Sequence, residues 1–313
     1  MLADGAAQLP DRDRLGVPLG GVGDPVVPER VVERDEAPRP DEALRLGEVL
    51  AVLRLVAIDE LADKLGLNQG QKGYHLRKLG IIGGMSWSST ALYYEHINRG
   101  ISQRLGGLHC AELAIESVDF AGIAAMQAAG DWDGIAKILM DASSHLQASG
   151  AEAVVIACNT VHKCYDAVAA NIEVPVFHIG DSTADRLVAD KRKHVALLGT
   201  RFTMLEPHIR GRLEARGITL APIDEVWVRE VDRIIFDELA AGRVVRDSQR
   251  KLKTLITELA KQKVQAVVLG CTELVMAVDV RANVLPVYDT TAIHARACID
   301  WMLAEEEPAR AAA

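Results

Sequence analysis

Two cysteines in matched surroundings are the residues best suited to chemistry in this sequence. Cys158 follows the run AVVIA and precedes Asn-Thr, and Cys271 follows the run AVVLG and precedes Thr-Glu. Runs of β-branched and apolar residues predict buried parallel strands. The polar residues after them predict the carboxyl-end loops at which open α/β sheets bind ligands. We therefore expect one site to which two strands each contribute a thiol.

Two thiols on opposite sides of a substrate carbon can invert that carbon. A thiolate removes a proton from one face and a thiol returns a proton to the other, while nearby donors stabilise the negative charge that develops. A free cysteine has a pKa of about 8.5, and we expect a helix N-terminus after each cysteine to lower it. Such proton transfer by Cys158 and Cys271 needs no metal and no cofactor.

The sequence around these cysteines is duplicated. Gly83 precedes Cys158 by 75 residues, and Gly199 precedes Cys271 by 72 residues. The segments VPVF and DSTA of the first half also correspond to LPVY and DTTA of the second half. A duplication with alternating strands and helices predicts an α/β fold. We expect two pseudo-symmetric, doubly wound parallel-sheet domains with the active site in the cleft between them.

The chain divides into four predicted parts, and the closing helix of the first domain can cross to the other half. These parts are an N-terminal extension over residues 1–77 that is disordered or weakly helical, a first α/β domain over 78–190, a second over 191–305, and a tail over 306–313. Within the domains we expect a helix near 204–215 and another over 231–239. Asp181 and Asp289 are expected to cap helices.

The first 77 residues differ from the rest of the chain. Six of the 11 prolines lie in the first forty positions, in a stretch too poor in large apolar groups to offset its ordering entropy. This stretch is either a natural disordered extension or translated upstream sequence, and we favour the second slightly. Residues 44–77 resemble a helix-turn-helix. Gly70 and Gly73 weaken its second helix, which favours an incidental amphipathic leader.

Composition describes a soluble globular protein, with 49% hydrophobic and 25% charged residues. No apolar run approaches the ~20 residues of a membrane span, and the amino terminus lacks a secretory signal pattern. The net charge of −9 argues against nucleic-acid binding. Five cysteines without zinc-like spacing predict free thiols in a reducing cytoplasm. Three of them are expected to be inert core residues: Cys110, Cys164 and Cys298.

Several separate motifs resemble a known family. AxxxACNT at 153–160 and GCTE at 270–273 are similar to the aspartate/glutamate racemase superfamily. GGMSWSST at 83–90, RLGGLH at 104–109 and SVDF at 117–120 resemble its aspartate racemase branch, which includes broad-specificity amino-acid racemases. The resemblance covers about residues 78–303.

This resemblance implies a cytoplasmic, PLP-independent isomerase of D-amino acid metabolism that interconverts L- and D-amino acids, without a metal, as a homodimer. By position, Cys158 and Cys271 are its two acid/base residues. The implied substrate-binding residues are Met85, Ser86, Asn159, Thr160 and Thr272 for the α-carboxylate and ammonium, Gln127 for the side chain, and Thr200. Some members carry a lysine at the position of Glu230, so a preference for aspartate or glutamate stays open.

Two other functions stay open at this point. One is another isomerase of the superfamily, similar to a hydantoin racemase. The other is a DNA-binding regulator, in which residues 44–77 bind DNA and the α/β part binds a ligand.

Overall fold

The structure is a computed structural model that describes residues 76–304. The predicted disordered stretch, nearly all of the helix-turn-helix candidate and the tail lie outside these residues.

The first half of the described chain alternates strands with helices, as its sequence predicts. Its elements are β1 (Leu79–Gly83), α1 (Trp87–Leu105), β2 (Leu113–Ser117), α2 (Phe120–Ala129), α3 (Trp132–Ala148), β3 (Ala153–Ile156), a 3₁₀ turn (Thr160–Cys164), α4 (Tyr165–Asn171), β4 (Val176–Phe177) and α5 (Ile179–Ala189). Helix α2 was not expected, because its sequence FAGIAAMQAA has small and apolar residues on all sides and so lacks a periodic apolar face.

The second half repeats the pattern. Its elements are β5 (His194–Gly199), α6 (Arg201–Leu205), α7 (Pro207–Ala215), β6 (Thr219–Leu220), α8 (Glu225–Arg233), a π-helical segment (Ile234–Leu239), α9 (Arg246–Lys261), β7 (Ala266–Gly270), a 3₁₀ turn (Thr272–Met276), β8 (Val287–Asp289) and α10 (Thr290–Met302).

Three local expectations are corrected. The helix expected near 204–215 is two helices that break at Glu206, because Pro207 disfavours helical backbone at the residue before it. The helix expected over 231–239 begins earlier, at Glu225, and continues as the π-helical segment. Asp181 does not cap α5, since the side chain of His178 accepts the Gly180 amide there. Asp289 does cap α10, as expected.

Each half builds one four-stranded sheet, and the two sheets have the same topology. The strand orders are β2-β1-β3-β4 and β6-β5-β7-β8, and every pairing is parallel. All residues of the central strands β3 and β7 are buried, as expected for strands covered on both faces. The predicted fold class of two pseudo-symmetric α/β halves is confirmed.

The two halves exchange their closing helices. Helix α5 ends the first half, yet Ile179 and Leu187 lie in one apolar cluster with Val268 of the second sheet. Helix α10 ends the second half, yet Ile299 lies in one cluster with Val155 of the first sheet. Each sheet is therefore covered in part by a helix from the other half, which joins the halves into one unit.

Loss of the α10 contact should destabilise the whole unit. Ile299→Ala removes a buried side chain where α10 crosses α1 so closely that any side chain at Gly100 would collide with it. We expect a loss of about 2–5 kcal/mol in the free energy of unfolding, measured by urea denaturation.

The matched control is Val188→Ala on α5, where the valine is half exposed. This variant should cost less than about 0.5 kcal/mol. Equal losses for the two variants would contradict the exchange of helices as a source of stability.

Three buried histidines lie at the junction of the exchanged helices. The rings of His162 and His178 are 4.6 Å apart, and those of His162 and His294 are 6.1 Å apart. His162 Nε2 accepts the Ile179 amide at 3.1 Å, so its Nδ1 carries the proton and donates to a backbone carbonyl. His294 Nδ1 hydrogen-bonds the Tyr93 hydroxyl at 2.8 Å.

Burial keeps this histidine cluster neutral. It lowers the pKa of His178 to about 3 and that of His294 to about 4, and it holds the pKa of His162 well below its usual range. The unfolded chain binds protons on these residues below about pH 6.5, and the folded chain does not. The contribution of these three histidines to the free energy of unfolding is therefore fully present above about pH 6.5. It is lost as the pH falls toward their pKa values in the folded chain.

We expect the free energy of unfolding to fall by about 2 kcal/mol for each of these histidines between pH 7 and pH 5. In His178→Asn the helix cap is kept, because asparagine also accepts an amide at that position, but the titrating group is lost. The urea concentration at the midpoint of unfolding should therefore change less steeply with pH in this variant than in the wild type. A pH slope in His178→Asn equal to that of the wild type would contradict the assignment.

Candidate functional site

The two cysteines occupy equivalent positions in the two sheets. Cys158 lies just beyond β3 and Cys271 lies directly after β7, and each of these strands is paired on both sides. Cys158 is half-buried and Cys271 is buried. Burial and Glu273 raise the pKa of Cys271, and Cys158 makes a further, smaller contribution that shows the two thiols to be near each other. The fold thus brings the two predicted acid/base residues to one region.

The loop after β1 approaches the second half of the chain. Met85 is buried, and the hydroxyl of Ser86 caps α1 by accepting the Ser89 amide. Gly84 has a φ of +89°, and a side chain there would collide with the carbonyl of Val118, so the turn requires glycine. This turn lets the Ser86 hydroxyl donate to the Glu273 carboxylate at 2.8 Å.

The Glu273 carboxylate accepts hydrogen bonds from hydroxyl and thiol groups of both halves. Its Oε2 accepts from the Thr272 hydroxyl at 2.7 Å and from the Cys271 thiol at 3.0 Å. Its Oε1 accepts from Ser86 and also lies 3.1 Å from the Ser89 hydroxyl, which bonds Thr272 as well. In the sequence Glu273 stands beside Cys271 without a predicted role, and Ser89 is not among the predicted site residues.

The loop after Cys158 is held by the second half. The amide of Asn159 donates to the Thr290 hydroxyl at 3.1 Å, and Thr160 and Thr200 share a hydroxyl–hydroxyl bond of 2.9 Å. Within residues 76–304, the buried Oδ1 of Asn159 has no hydrogen-bond partner. His162 fixes the same loop by donating to the carbonyl of Cys158 at 2.7 Å. These contacts place a buried acceptor beside one thiol.

Gln127 lies apart from the hydrogen-bonded loops. It is buried on α2 and lines a cleft of about 470 Å³ with Phe202 and several charged residues of the second half. Among the described residues its Oε1 has no partner. Two residues that line the cleft, Arg201 and Phe202, directly follow Thr200 in the chain, so the cleft begins next to Thr200. Gln127 therefore belongs to the wall of a cleft between the two halves.

Burial decides the acidity of both thiols. It raises the pKa of Cys158 to about 11, although the amides of Val161 and Thr160 oppose this shift. It raises the pKa of Cys271 well above its usual range, and the charge of Glu273 raises it further. The expectation of lowered thiol pKa values is wrong for this structure. Each cysteine is followed by a short 3₁₀ turn, whose few amides stabilise a thiolate less than burial disfavours it.

The remaining three cysteines differ in exposure. Cys164 and Cys298 are buried, as expected for core residues. Cys110 is exposed in the loop before β2, so the expectation of a core position is wrong there. Within residues 76–304, none of the helices is both long enough and apolar enough to cross a membrane.

The chain matches a family profile described as Asp/Glu/Hydantoin racemase over residues 82–298. A curated relative is the "Broad specificity amino-acid racemase RacX" of Bacillus subtilis, which is 25% identical over 174 residues, 56% of this chain and 75% of that protein.

Solved structures give the same result. A putative Asp/Glu racemase from Yersinia pestis is 41% identical with a TM-score of 0.69, covering 73% of this chain and 100% of that one. An aspartate racemase homologue from Pyrococcus horikoshii OT3 is 32% identical with a TM-score of 0.62, covering 72% and 99%.

The profile match spans both sheets and both cysteine loops, and the structural likeness extends over the whole of the Yersinia protein. The chain therefore belongs to the Asp/Glu/hydantoin racemase family and is an isomerase.

Proposed function

We propose that this isomerase is a PLP-independent amino-acid racemase in which Cys158 and Cys271 exchange protons with the substrate Cα from opposite sides. The observation that supports this most is the equivalent placement of the two thiols at the carboxyl ends of the central strands β3 and β7. Related two-fold halves present equivalent groups to a ligand between them, which is what inversion at one carbon requires.

The residues around the thiols suit an amino acid. In the proposal, the unpartnered Oδ1 of Asn159 accepts a hydrogen bond from the α-ammonium group. The α-carboxylate accepts hydrogen bonds from the amides of Thr160 and Val161, which point toward the Cys158 sulfur. In the proposal, the hydroxyls of Ser86 and Thr272 and the side chain of Met85 line the same space.

One turnover then moves two protons. The thiolate of one cysteine takes the Cα proton, and the electron pair of the C–H bond enters the α-carboxylate as an enediolate. The thiol of the other cysteine gives its proton to the opposite face of Cα, and the electron pair returns to form the new C–H bond. The pair of cysteines ends with its protonation reversed and the carbon inverted.

The raised thiol pKa values are compatible with this cycle. An α-ammonium group beside Cys158 is a positive charge in a water-poor site, and such a charge favours the thiolate. The carbanionic intermediate is stabilised by the same ammonium and by the amide donors at the carboxylate. The proposal therefore requires neither a metal nor PLP.

We also propose that the enzyme accepts neutral side chains as well as acidic ones. The cleft lined by Gln127 holds three arginines, each already paired with a carboxylate. The pairs are Arg201 with Asp232 at 3.1 Å, Arg229 with Glu225 at 2.6 Å, and Arg233 with Glu230 and Glu238 at 2.9 Å. Hydrogen bonds from Arg233 and then Lys251 lower the pKa of Glu230 to about 2, so that it stays ionised.

A neutralised cleft offers a distal carboxylate little net attraction, which favours broad specificity over a strict preference for aspartate. The relative from Bacillus subtilis, described as a broad-specificity racemase, is consistent with this proposal. The free state of all five cysteines likewise supports a reducing compartment such as the cytoplasm.

Deuterium exchange at Cα tests the two-thiol mechanism. In heavy water, wild-type enzyme without added cofactor should incorporate deuterium into L- and D-amino acids with inversion, as followed by NMR and chiral chromatography. Cys158→Ser and Cys271→Ser should each slow racemisation by about a thousandfold, because serine is a far weaker acid/base group.

The control for this test is Cys164→Ser. Cys164 is a buried cysteine at the end of the 3₁₀ turn that follows Cys158, and its thiol donates to the carbonyl of Trp132. This variant should racemise like the wild type. Full activity in either site variant would sink the two-thiol mechanism, and turnover of hydantoins with none of any amino acid would favour the other isomerase function.

Substrate preference is tested at Glu230. Glu230→Gln removes one negative charge from Arg233, so its guanidinium should attract a distal carboxylate better. We expect kcat/KM for aspartate, relative to that for a neutral amino acid such as methionine, to rise about fivefold, or about 1 kcal/mol.

Glu214→Gln is the matched control, since Glu214 pairs with Arg210 and does not line this cleft. It should leave the ratio unchanged. A wild-type enzyme that turns over only aspartate or glutamate would contradict broad specificity.

A further inference from the structure

The carboxylate of Glu273 is shared by the two halves of the chain. Its side chain is only 7% exposed, and each oxygen has donors within hydrogen-bond distance. Ser86 and Ser89, on the first half, reach Oε1 at 2.8 and 3.1 Å. Thr272 and Cys271, on the second half, reach Oε2 at 2.7 and 3.0 Å. One buried group thus contacts both the turn that precedes α1 and one of the two thiols.

The geometry around Glu273 indicates how this cluster works. The Thr272 hydroxyl and the Cys271 thiol are placed to donate to Oε2, and the Ser86 hydroxyl is placed to donate to Oε1. Both oxygens of Glu273 therefore act as acceptors in these hydrogen bonds. A thiol that donates to a carboxylate is held in its protonated form.

The environment of the other thiol is different. Cys158 is approached by backbone N–H groups of Thr160 and Val161, which favour a thiolate, and it makes no hydrogen bond to Glu273 in the described chain. Cys271 is also approached by a backbone amide, that of Glu273, but in addition it donates to a carboxylate. The two loops are related by the internal duplication, yet they differ in this one bond. The pseudo-symmetry of the fold is broken at this point.

We propose that Glu273 is a positioning residue that keeps the proton on Cys271, so that the resting enzyme holds Cys271 as the thiol and Cys158 as the group that loses its proton first. This inference rests on the proposed two-thiol function and assigns each cysteine its resting state. Glu273 acts through Cys271 and the Ser86–Ser89 turn.

The groups that bear on the two thiols come from several elements. Glu273 raises the pKa of both thiols, and Cys158 also contributes to raising the pKa of Cys271. On α1, burial raises the pKa of Tyr93, and the charges of Cys298, Asp289 and Cys158 raise it further in that order. His162 contacts the Cys158 carbonyl but is neutral. Among these groups, Glu273 is the one bonded to a thiol.

This asymmetry has to be measured on the thiols themselves. L- and D-amino acids have equal free energies, so kcat/KM must be the same in both directions whatever Glu273 does. The pH at which each cysteine becomes reactive is not constrained in this way. A rate–pH profile also separates the acidity of a thiol from its exposure to the reagent. The midpoint of the profile depends on ionisation, whereas the limiting rate depends on exposure.

The experiment is alkylation of the full-length enzyme with iodoacetamide from about pH 7 to about pH 12, with the rate at each cysteine resolved by peptide mass spectrometry. In the wild type, the midpoint for Cys158 should lie below that for Cys271. In Glu273→Gln, which keeps the size of the side chain and removes its charge, the Cys271 midpoint should fall by about 1 to 3 pH units. The Cys158 midpoint should move less.

Two further variants make the result specific. Glu273→Asp keeps the charge but shortens the side chain, so its Cys271 midpoint should lie between those of the wild type and Glu273→Gln. Glu116→Gln, which removes a carboxylate paired with His145 on the surface, should leave both midpoints unchanged.

A Cys271 midpoint that is the same in folded Glu273→Gln as in the wild type would overturn the proposal. If Glu273→Gln does not fold, the wild-type enzyme provides the test. A Cys271 midpoint at or below the Cys158 midpoint in the wild type would also overturn the proposal. Alkylation needs no turnover, so an enzyme that fails to racemise amino acids yet shows these shifts would contradict the proposed function and retain the role of Glu273.

Discussion

Complete burial of the two central strands is the constraint on which the rest of this structure depends. Every residue of β3 and β7 is enclosed, so neither strand can carry a polar side chain along its length. Polar groups enter where each strand ends, and there the chain places Cys158 with Asn159 and Cys271 with Thr272. The position of the candidate site thus follows from the same packing that stabilises the sheets.

The exchange of closing helices gives this site its rigidity. Since α5 and α10 each cover the sheet of the opposite half, the two strand ends cannot separate without exposing both apolar clusters. The contacts across the cleft are then formed between prepositioned groups. Thr160 bonds Thr200, and Ser86 reaches Glu273, across a boundary that the core already fixes.

The sequence predicts those parts of the structure that depend on local patterns. Runs such as AVVIA and AVVLG identify the central strands, and the duplicated spacing identifies their equivalence. Helix α2 was missed because a helix of small and apolar residues has no periodic face to detect. Glu273 could be seen beside Cys271, but its partner Ser86 lies 187 residues away in the chain, and no local pattern reports a contact of that range. The thiol acidities were mispredicted for the same reason, since burial is a property of the assembled fold.

Duplication and asymmetry have different physical origins here. Duplication of a strand–loop–helix unit produces two thiols in equivalent backbone settings, which is the simplest way to reach both faces of one carbon. Two thiols in identical dry surroundings would have equal pKa values, and neither would be set apart as the group that ionises first. A single acidic residue after one cysteine makes the two settings unequal, because the Glu273 carboxylate accepts a hydrogen bond from Cys271. Under the proposed mechanism, the two halves keep the same fold while their cysteines begin the reaction in different protonation states.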